Sequence, residues 1–118
     1  DADKLDILRV MAEHLNGPAP YNPTVVLQQP DDPTIASEAV LQAVFEHRVA
    51  AYAALRCVND LRLLLGTWFF DLHFATCRQK FLQDGYAHNL LRHMPPTVPQ
   101  AAARDHMLAL LDAAKNGA

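Results

Sequence analysis

Apolar residues recur at three- and four-residue spacing along most of the chain, and prolines interrupt this pattern in two places. All eight prolines fall within residues 18–33 and 95–99. Because proline is rarely found inside a helix, the two clusters divide the chain into three helical stretches. The pattern therefore predicts an all-α fold, a bundle of four or five helices with an ordered, Pro-rich connector after the first helix.

The first stretch, residues 3–16, has one apolar stripe and the flanking residues of a helix. Asp3 is the expected N-cap, and Gly17 is expected to end the helix. The connector contains the apolar segment 24–27, which we expect to lie extended against the helices. Asp32 is the expected cap of the next helix, with the proline after it in the first turn. The apolar stripe consists of Leu5, Leu8, Met11 and Leu15.

The middle stretch, residues 34–94, contains no proline and only two glycines. An unbroken helix of this length would measure about 90 Å, which is far longer than a domain of this size is wide. We therefore expect at least one reversal of the chain. The candidate positions are Asn59–Asp60, Gly66 and Asp84–Gly85.

A last helix is expected after the second proline cluster. Thr97 and Gln100 have the spacing of a capping box at its start. No internal repeat, low-complexity tract or linker divides the chain. Residues 1–118 are thus expected to form a single helical-bundle domain, which is compatible with excision from a longer protein.

Charge and composition exclude several classes of protein. The formal net charge is −3, and no run of basic residues occurs, so no nucleic-acid partner is expected. The hydrophobic share of 51% is too high for a disordered chain. No uncharged apolar run reaches the roughly 18 residues that a transmembrane helix needs.

The chain as given carries no sign of export. Residues 1–4 lack the charged and apolar regions of a signal peptide, although a targeting segment upstream would not be visible here. Cys57 and Cys77 are too few for a disulfide framework. A cytoplasmic location is the expectation.

The segment 66–77 contains the only Trp and three of the five Phe residues. On a helical wheel its neighbourhood is apolar on two opposite sides, which is typical of a helix that is central in a bundle or lies at an interface. One side holds Phe70, His73, Phe74, Cys77 and Phe81. The apolar surface between Leu61 and Phe81 as a whole is too broad for one small bundle to cover, and another helix, from this chain or from a second copy, is expected to cover the opposite side. The predicted interaction face consists of Leu61, Leu65, Trp68, Phe69 and Leu72.

This apolar excess predicts a protein–protein interaction module, with an adaptor, regulatory or chaperone-like role. Self-association through the helix around Leu61–Phe81 is expected, and a C2 homodimer is the commonest way to cover such a face. One alternative is membrane targeting through an apolar tip at Trp68 and Phe69. Another is a small-ligand or metal site that uses His73 and Cys77, four residues apart on a helix.

No arrangement of residues typical of an enzyme is present. Ser37 is the only serine and is explained by helix capping, and no Gly-rich phosphate loop occurs. His88, His93 and His106 are expected to face solvent; the alternative is that Asp84 and His88, four residues apart, pair and that the pKa of the histidine rises. The arginines do not converge on one helix face. No catalytic activity and no cofactor are therefore expected. The arginines compared for a shared helix face are Arg48, Arg56, Arg62, Arg78 and Arg92.

Overall fold

The computed structural model describes residues 2–117, which form six α-helices and, within that range, no strand. The all-α prediction is confirmed, with six helices instead of four or five. Two short 3₁₀ turns cover Tyr52–Ala54 and Trp68–Asp71. The helices are α1 (Ala2–Leu15), α2 (Glu38–Phe45), α3 (Val58–Thr67), α4 (Ala75–Asp84), α5 (Tyr86–Arg92) and α6 (Ala101–Gly117).

Helix α3 lies at the centre of the molecule. All ten of its residues are buried, because α2, α5 and α6 pack around it. Helix α1 packs against α5 from the outside. Apolar side chains from all six helices join one core cluster. This central position also buries the polar residues of α3.

The middle stretch is broken more often than the sequence predicted. The longest dimension of the molecule is 36 Å, so the chain must reverse repeatedly. The predicted break at Gly85 is confirmed, since Gly85 has a left-handed φ of 71° between α4 and α5. The candidate breaks at Asn59–Asp60 and Gly66 are wrong, because both lie inside α3. The other breaks occur at residues 46–57 and 72–74.

The end of α2 shows why one of these breaks was not predicted. The N–H of His47 donates to Val44 O (3.2 Å), and the N–H of Arg48 donates to Ala43 O (3.0 Å). These two bonds form a Schellman motif, in which a left-handed residue ends the helix. Glycine usually occupies that position, but here it is His47, with a φ of 57°.

Two predicted helix caps are wrong. Asp3 lies within the first turn of α1, which already begins at Ala2. Asp32 accepts hydrogen bonds from the N–H and the hydroxyl of Thr34, but α2 begins only after Ser37. The Ser37 hydroxyl accepts from the N–H of Val40 and caps the helix, as its capping role in the sequence analysis anticipated.

The connector between α1 and α2 is not extended at its apolar segment. The N–H of Val26 donates to Asn22 O, and the N–H of Gln28 donates to Pro23 O (2.8 Å), so residues 23–28 form a turn. The turn places the side chain of Val26 in the core. Among the described residues, no helix is long and apolar enough to cross a membrane.

Candidate ligand-binding site

The polar residues of α3 are satisfied to different degrees. Asp60 is fully buried and accepts hydrogen bonds from the N–H groups of Ser37 and Arg56 and from Gln100 Nε2 (3.0 Å). Gln100 also donates to Ile35 O. Its side chain is therefore committed to the core, and the predicted capping box with Thr97 is wrong.

Arg62 is the charged side chain of α3 that this network does not reach. It is 2% exposed, and its Nη2 donates to Leu15 O (3.2 Å) and to the Tyr21 hydroxyl (2.8 Å). The guanidinium lies 5.7 Å from the centre of the Tyr21 ring. Leu15 is the last residue of α1, so the arginine places positive charge at the negative end of that helix.

Three of the five N–H donors of Arg62 remain unsatisfied. The donors on Nε and Nη1 are buried and have no hydrogen-bond acceptor among the described residues. No carboxylate of the described residues forms a salt bridge with this guanidinium. Burial accordingly lowers the pKa of Arg62, while Tyr21 and the charge of Asp31 oppose the shift. A buried arginine without a paired anion is costly, because its charge has lost the stabilisation that water gave it.

Arg62 lines a cavity of about 400 Å³ between α3, the connector and the segment that follows α5. Tyr21 and Asp31 contribute the connector side, Asn59 the side of α3, and His93 the far side. A second cavity of about 540 Å³, lined in part by the same Tyr21 and Asp31, continues along the connector. Volumes of this size are typical of small-molecule sites.

The cavity carries both signs of charge. Desolvation and the positive charge of Arg62 lower the pKa of His93, whereas Asp31 raises it. His93 is thereby biased toward its neutral form, in which one ring nitrogen donates and the other accepts a hydrogen bond. The cavity thus offers a cation, a carboxylate, a phenol, an amide and a neutral imidazole.

The predicted interaction face lies almost wholly inside the molecule. Leu61, Leu65 and Leu72 are buried, and Trp68 is 5% exposed. Phe69 is half-buried, with its ring 5.4 Å from the Phe81 ring. The second apolar side of the segment is therefore covered by helices of this same chain. The Trp68–Phe69 tip is likewise not exposed for insertion into a membrane.

The structure does not place His73 and Cys77 as the predicted ligand or metal site requires. His73 lies in the break before α4 and is exposed, whereas Cys77 lies inside α4 and is half-buried. The two residues are consequently not on consecutive turns of one helix. No group of three or more histidine, cysteine or acidic side chains that suits a metal ion occurs among the described residues.

The expected solvent-facing position of His88 and its alternative, a pairing with Asp84, are both wrong. Asp84 pairs with Lys80, and His88 Nε2 lies 3.1 Å from Asp112 Oδ1 on α6. His88 is 4% exposed. Burial lowers its pKa despite the nearby Asp112 carboxylate, which is opposite to the direction that a pairing with Asp84 implied.

Sequence reasoning considered Arg62 but did not select it. Its position was nevertheless informative, because it interrupts an apolar run that consists of Leu61, Leu63, Leu64 and Leu65. A cation inside a helix that is apolar all round must be buried. Tyr21 and Asp31 carried no comparable signal, since their proximity to Arg62 depends on the path of the connector.

Comparisons of the chain with protein-family models, with curated proteins and with solved structures find no match.

Proposed function

We propose that this protein is a small-molecule-binding helical domain whose ligand carries a carboxylate or phosphate group held by Arg62. The observation that supports the proposal is the buried guanidinium with three unsatisfied N–H donors beside a cavity of about 400 Å³. Arginine suits this role because its charge is permanent and its donors match the oxygens of such anions.

The bound anion would supply the hydrogen-bond acceptors and the negative charge that Arg62 lacks in the fold. An anionic oxygen at Nε or Nη1 satisfies a buried donor and neutralises a buried charge, and each effect favours binding. Since both nitrogens are buried, the ligand must displace part of the cavity wall. The connector side, with Tyr21 and Asp31, contains no helix, and neither does the side formed by His93.

Asp31 restricts the class of ligand further. Its carboxylate lines the same cavity as Arg62, so it weakens the binding of a ligand that is only anionic without abolishing it. A ligand that also carries an amine or several hydroxyl groups would make favourable contacts with both residues. The proposal assigns no catalytic residue.

Thermal unfolding with inorganic phosphate, and separately with citrate, tests the proposal. At an anion concentration one hundred times Kd, we expect a stabilisation of about 2.7 kcal/mol relative to sodium chloride of equal ionic strength. Arg62→Met should abolish the difference, because methionine keeps an unbranched apolar stem and removes the charge. Arg92→Met, at an exposed arginine beside His93, is the matched control and should leave it unchanged.

The same experiment has an outcome that rejects the proposal. If phosphate, citrate and chloride stabilise the wild-type protein equally, the guanidinium is only a structural cap of α1. This result is obtained with the wild-type protein alone, so it does not depend on whether a variant folds.

We propose self-association as a second candidate function, on a surface different from the one predicted. Ile7 and Val10 on α1 are 46% and 52% exposed, and with Met11 they line a shallow surface depression. Sedimentation equilibrium should detect a dimer that Val10→Lys dissociates; a wild-type monomer at high micromolar concentration would exclude it. A reducing, cytoplasmic location remains part of the proposal, supported by the free thiols of Cys57 and Cys77.

A further inference from the structure

The cavity at Arg62 adjoins the second cavity along the connector, because Tyr21 and Asp31 line both. We call the second one, of about 540 Å³, the connector cavity. A molecule that extends from Arg62 past Tyr21 would pass from polar surroundings into mostly apolar ones. The other residues that line the connector cavity are the apolar Ala19, Pro20, Pro23, Val26 and Val58 and the polar Gln28 and Gln29.

Asp31 places a negative charge beside the arginine without pairing with it. Its carboxylate forms no salt bridge among the described residues. Its charge nevertheless opposes the lowering of the pKa of both Arg62 and His93. A cation and an anion thus face one cavity with a gap between them, and an ammonium group of a ligand would fill this gap on the side of Asp31.

Hydrogen bonds to the helices hold the two connector residues that line both cavities. The N–H of Asn22 donates to His14 Nε2 (2.9 Å), which fixes the residue after Tyr21 to α1. The N–H of Val58 donates to Pro30 O (2.9 Å), which fixes the residue before the aspartate to α3. Groups that are in place before a ligand binds lose little conformational freedom on binding, which favours affinity.

We propose that the ligand of this site is a free α-amino acid with an apolar side chain. The α-carboxylate binds the unsatisfied donors of Arg62, the α-ammonium group lies at the Asp31 carboxylate, and the side chain occupies the connector cavity. Both charged groups of an α-amino acid are attached to one carbon atom, so a single small molecule fits between a cation and an anion that face the same cavity.

This division of labour is usual for small-molecule sites, in which a few charged groups fix the orientation of the ligand and apolar walls surround the rest of it. The proposal rests on the anion site proposed for Arg62. It adds the ammonium contact at Asp31 and the apolar contact in the connector cavity, and each of these can be tested separately.

Calorimetric titration at neutral pH with L-phenylalanine, glycine and 3-phenylpropionate tests the proposal. Glycine keeps both charged groups but lacks the side chain, whereas 3-phenylpropionate keeps the carboxylate and the ring but lacks the ammonium group. We expect L-phenylalanine to bind at least about tenfold more tightly than glycine, because its ring leaves water. We expect it to bind at least about threefold more tightly than 3-phenylpropionate, a modest preference because Asp31 is exposed.

Asp31→Asn isolates the contact with the ammonium group. The variant should lose the preference for L-phenylalanine over 3-phenylpropionate, because an amide carries no charge to attract an ammonium group. Asp6→Asn is the matched control, since it makes the same chemical change at an exposed aspartate of α1 outside both cavities. This control should keep the wild-type preference.

The outcomes distinguish this proposal from the proposed function. If phosphate or citrate binds at Arg62 but L-phenylalanine binds no more tightly than glycine and 3-phenylpropionate, the ligand class is wrong and the anion site stands. If Asp31→Asn keeps the wild-type preference, the assigned position of the ammonium group is wrong. If neither the two inorganic and organic anions nor L-phenylalanine bind to the wild-type protein, both proposals are wrong.

Discussion

The two buried charges of α3 differ in how completely the fold satisfies them. Asp60 has hydrogen-bond donors from three separate segments, so it ties the start of α2 and the start of α6 to α3. Arg62, two residues along the helix, has acceptors only for its Nη2. The first residue therefore ties the fold together, whereas the second keeps donors on Nε and Nη1 that have no acceptor among the described residues.

Removal of the Asp60 carboxylate should be strongly destabilising. Asp60→Ala leaves the buried N–H of Ser37 and the partly buried N–H of Arg56 without their acceptor, and each buried donor that loses its acceptor costs about 1–3 kcal/mol. We expect the free energy of unfolding, measured by urea denaturation, to fall by about 3 kcal/mol or more. A loss below about 1 kcal/mol would contradict the role assigned to this network.

His88 should make stability depend on pH. Burial lowers its pKa below the usual 6.5, so between the folded and unfolded pKa values the unfolded chain binds more protons. The stabilisation is complete above about pH 6.5 and is lost as the pH falls toward the folded pKa. The shift at His93 has the same sign.

Thermal unfolding across this range checks the assignment. We expect the Tm of the wild-type protein to decrease as the pH is lowered from about 7.5 to about 5.5. The decrease should be shallower in His88→Gln, which cannot be protonated. Equal slopes in the two proteins would show that His88 is not responsible.

At the scale of helices, the two central glycines have opposite roles. Gly66 lies inside α3, where an added Cβ would meet Met107 Cγ at 3.5 Å and Leu91 Cδ1 at 3.6 Å, which are ordinary contact distances. Gly85 has a φ of 71° and no atom within 4 Å of an added Cβ. Only Gly85 is therefore required for its backbone conformation.

Alanine substitution at these two sites should change stability in opposite directions. Gly66→Ala is expected to stabilise the protein by about 0.5–1 kcal/mol, because alanine favours the helical conformation. Gly85→Ala is expected to destabilise it by about 1–2 kcal/mol, because alanine disfavours a left-handed φ. Denaturant unfolding of the two variants measures both changes in the free energy of unfolding. If Gly66→Ala destabilises the protein, the space between α3, α5 and α6 cannot accept an additional methyl group.

The helix boundaries that could be predicted were those with a local cause. The proline clusters and Gly85 mark boundaries wherever they occur, because their backbone restrictions are local. The break after α2 depends on a left-handed histidine, and the break at residues 72–74 contains neither glycine nor proline. Tertiary packing decides such positions. The hydrophobic pattern alone therefore predicted helix where the structure has a break.

At the scale of the whole molecule, the six helices cover the apolar residues for which the sequence analysis expected a second copy or another helix of this chain. Ten consecutive buried residues in α3 require neighbours on every side, and α2, α5 and α6 provide them. The sequence predicted correctly that this region is apolar on two sides. It did not reveal that α3 is short because unpredicted breaks precede and follow it. These breaks allow other helices of the same chain to cover both apolar sides.

The single tryptophan reports on this burial. Trp68 is packed in the core of the molecule, so we expect a blue-shifted native emission that acrylamide quenches weakly and that shifts to the red on unfolding. Addition of anionic lipid vesicles should leave the emission unchanged. A vesicle-induced shift of the native spectrum would instead support the membrane tip that the sequence suggested.

The Nε–H resonance of the Arg62 guanidinium reports whether this side chain binds an anion, as we propose. In ¹H–¹⁵N spectra, assigned by loss of the signal in Arg62→Lys, we expect the Nε–H peak of Arg62 to shift saturably on titration with inorganic phosphate or citrate at constant ionic strength. The peak of the exposed Arg92 should not saturate. An Arg62 peak that stays in place while both anions reach millimolar concentration would show that Arg62 binds neither phosphate nor citrate.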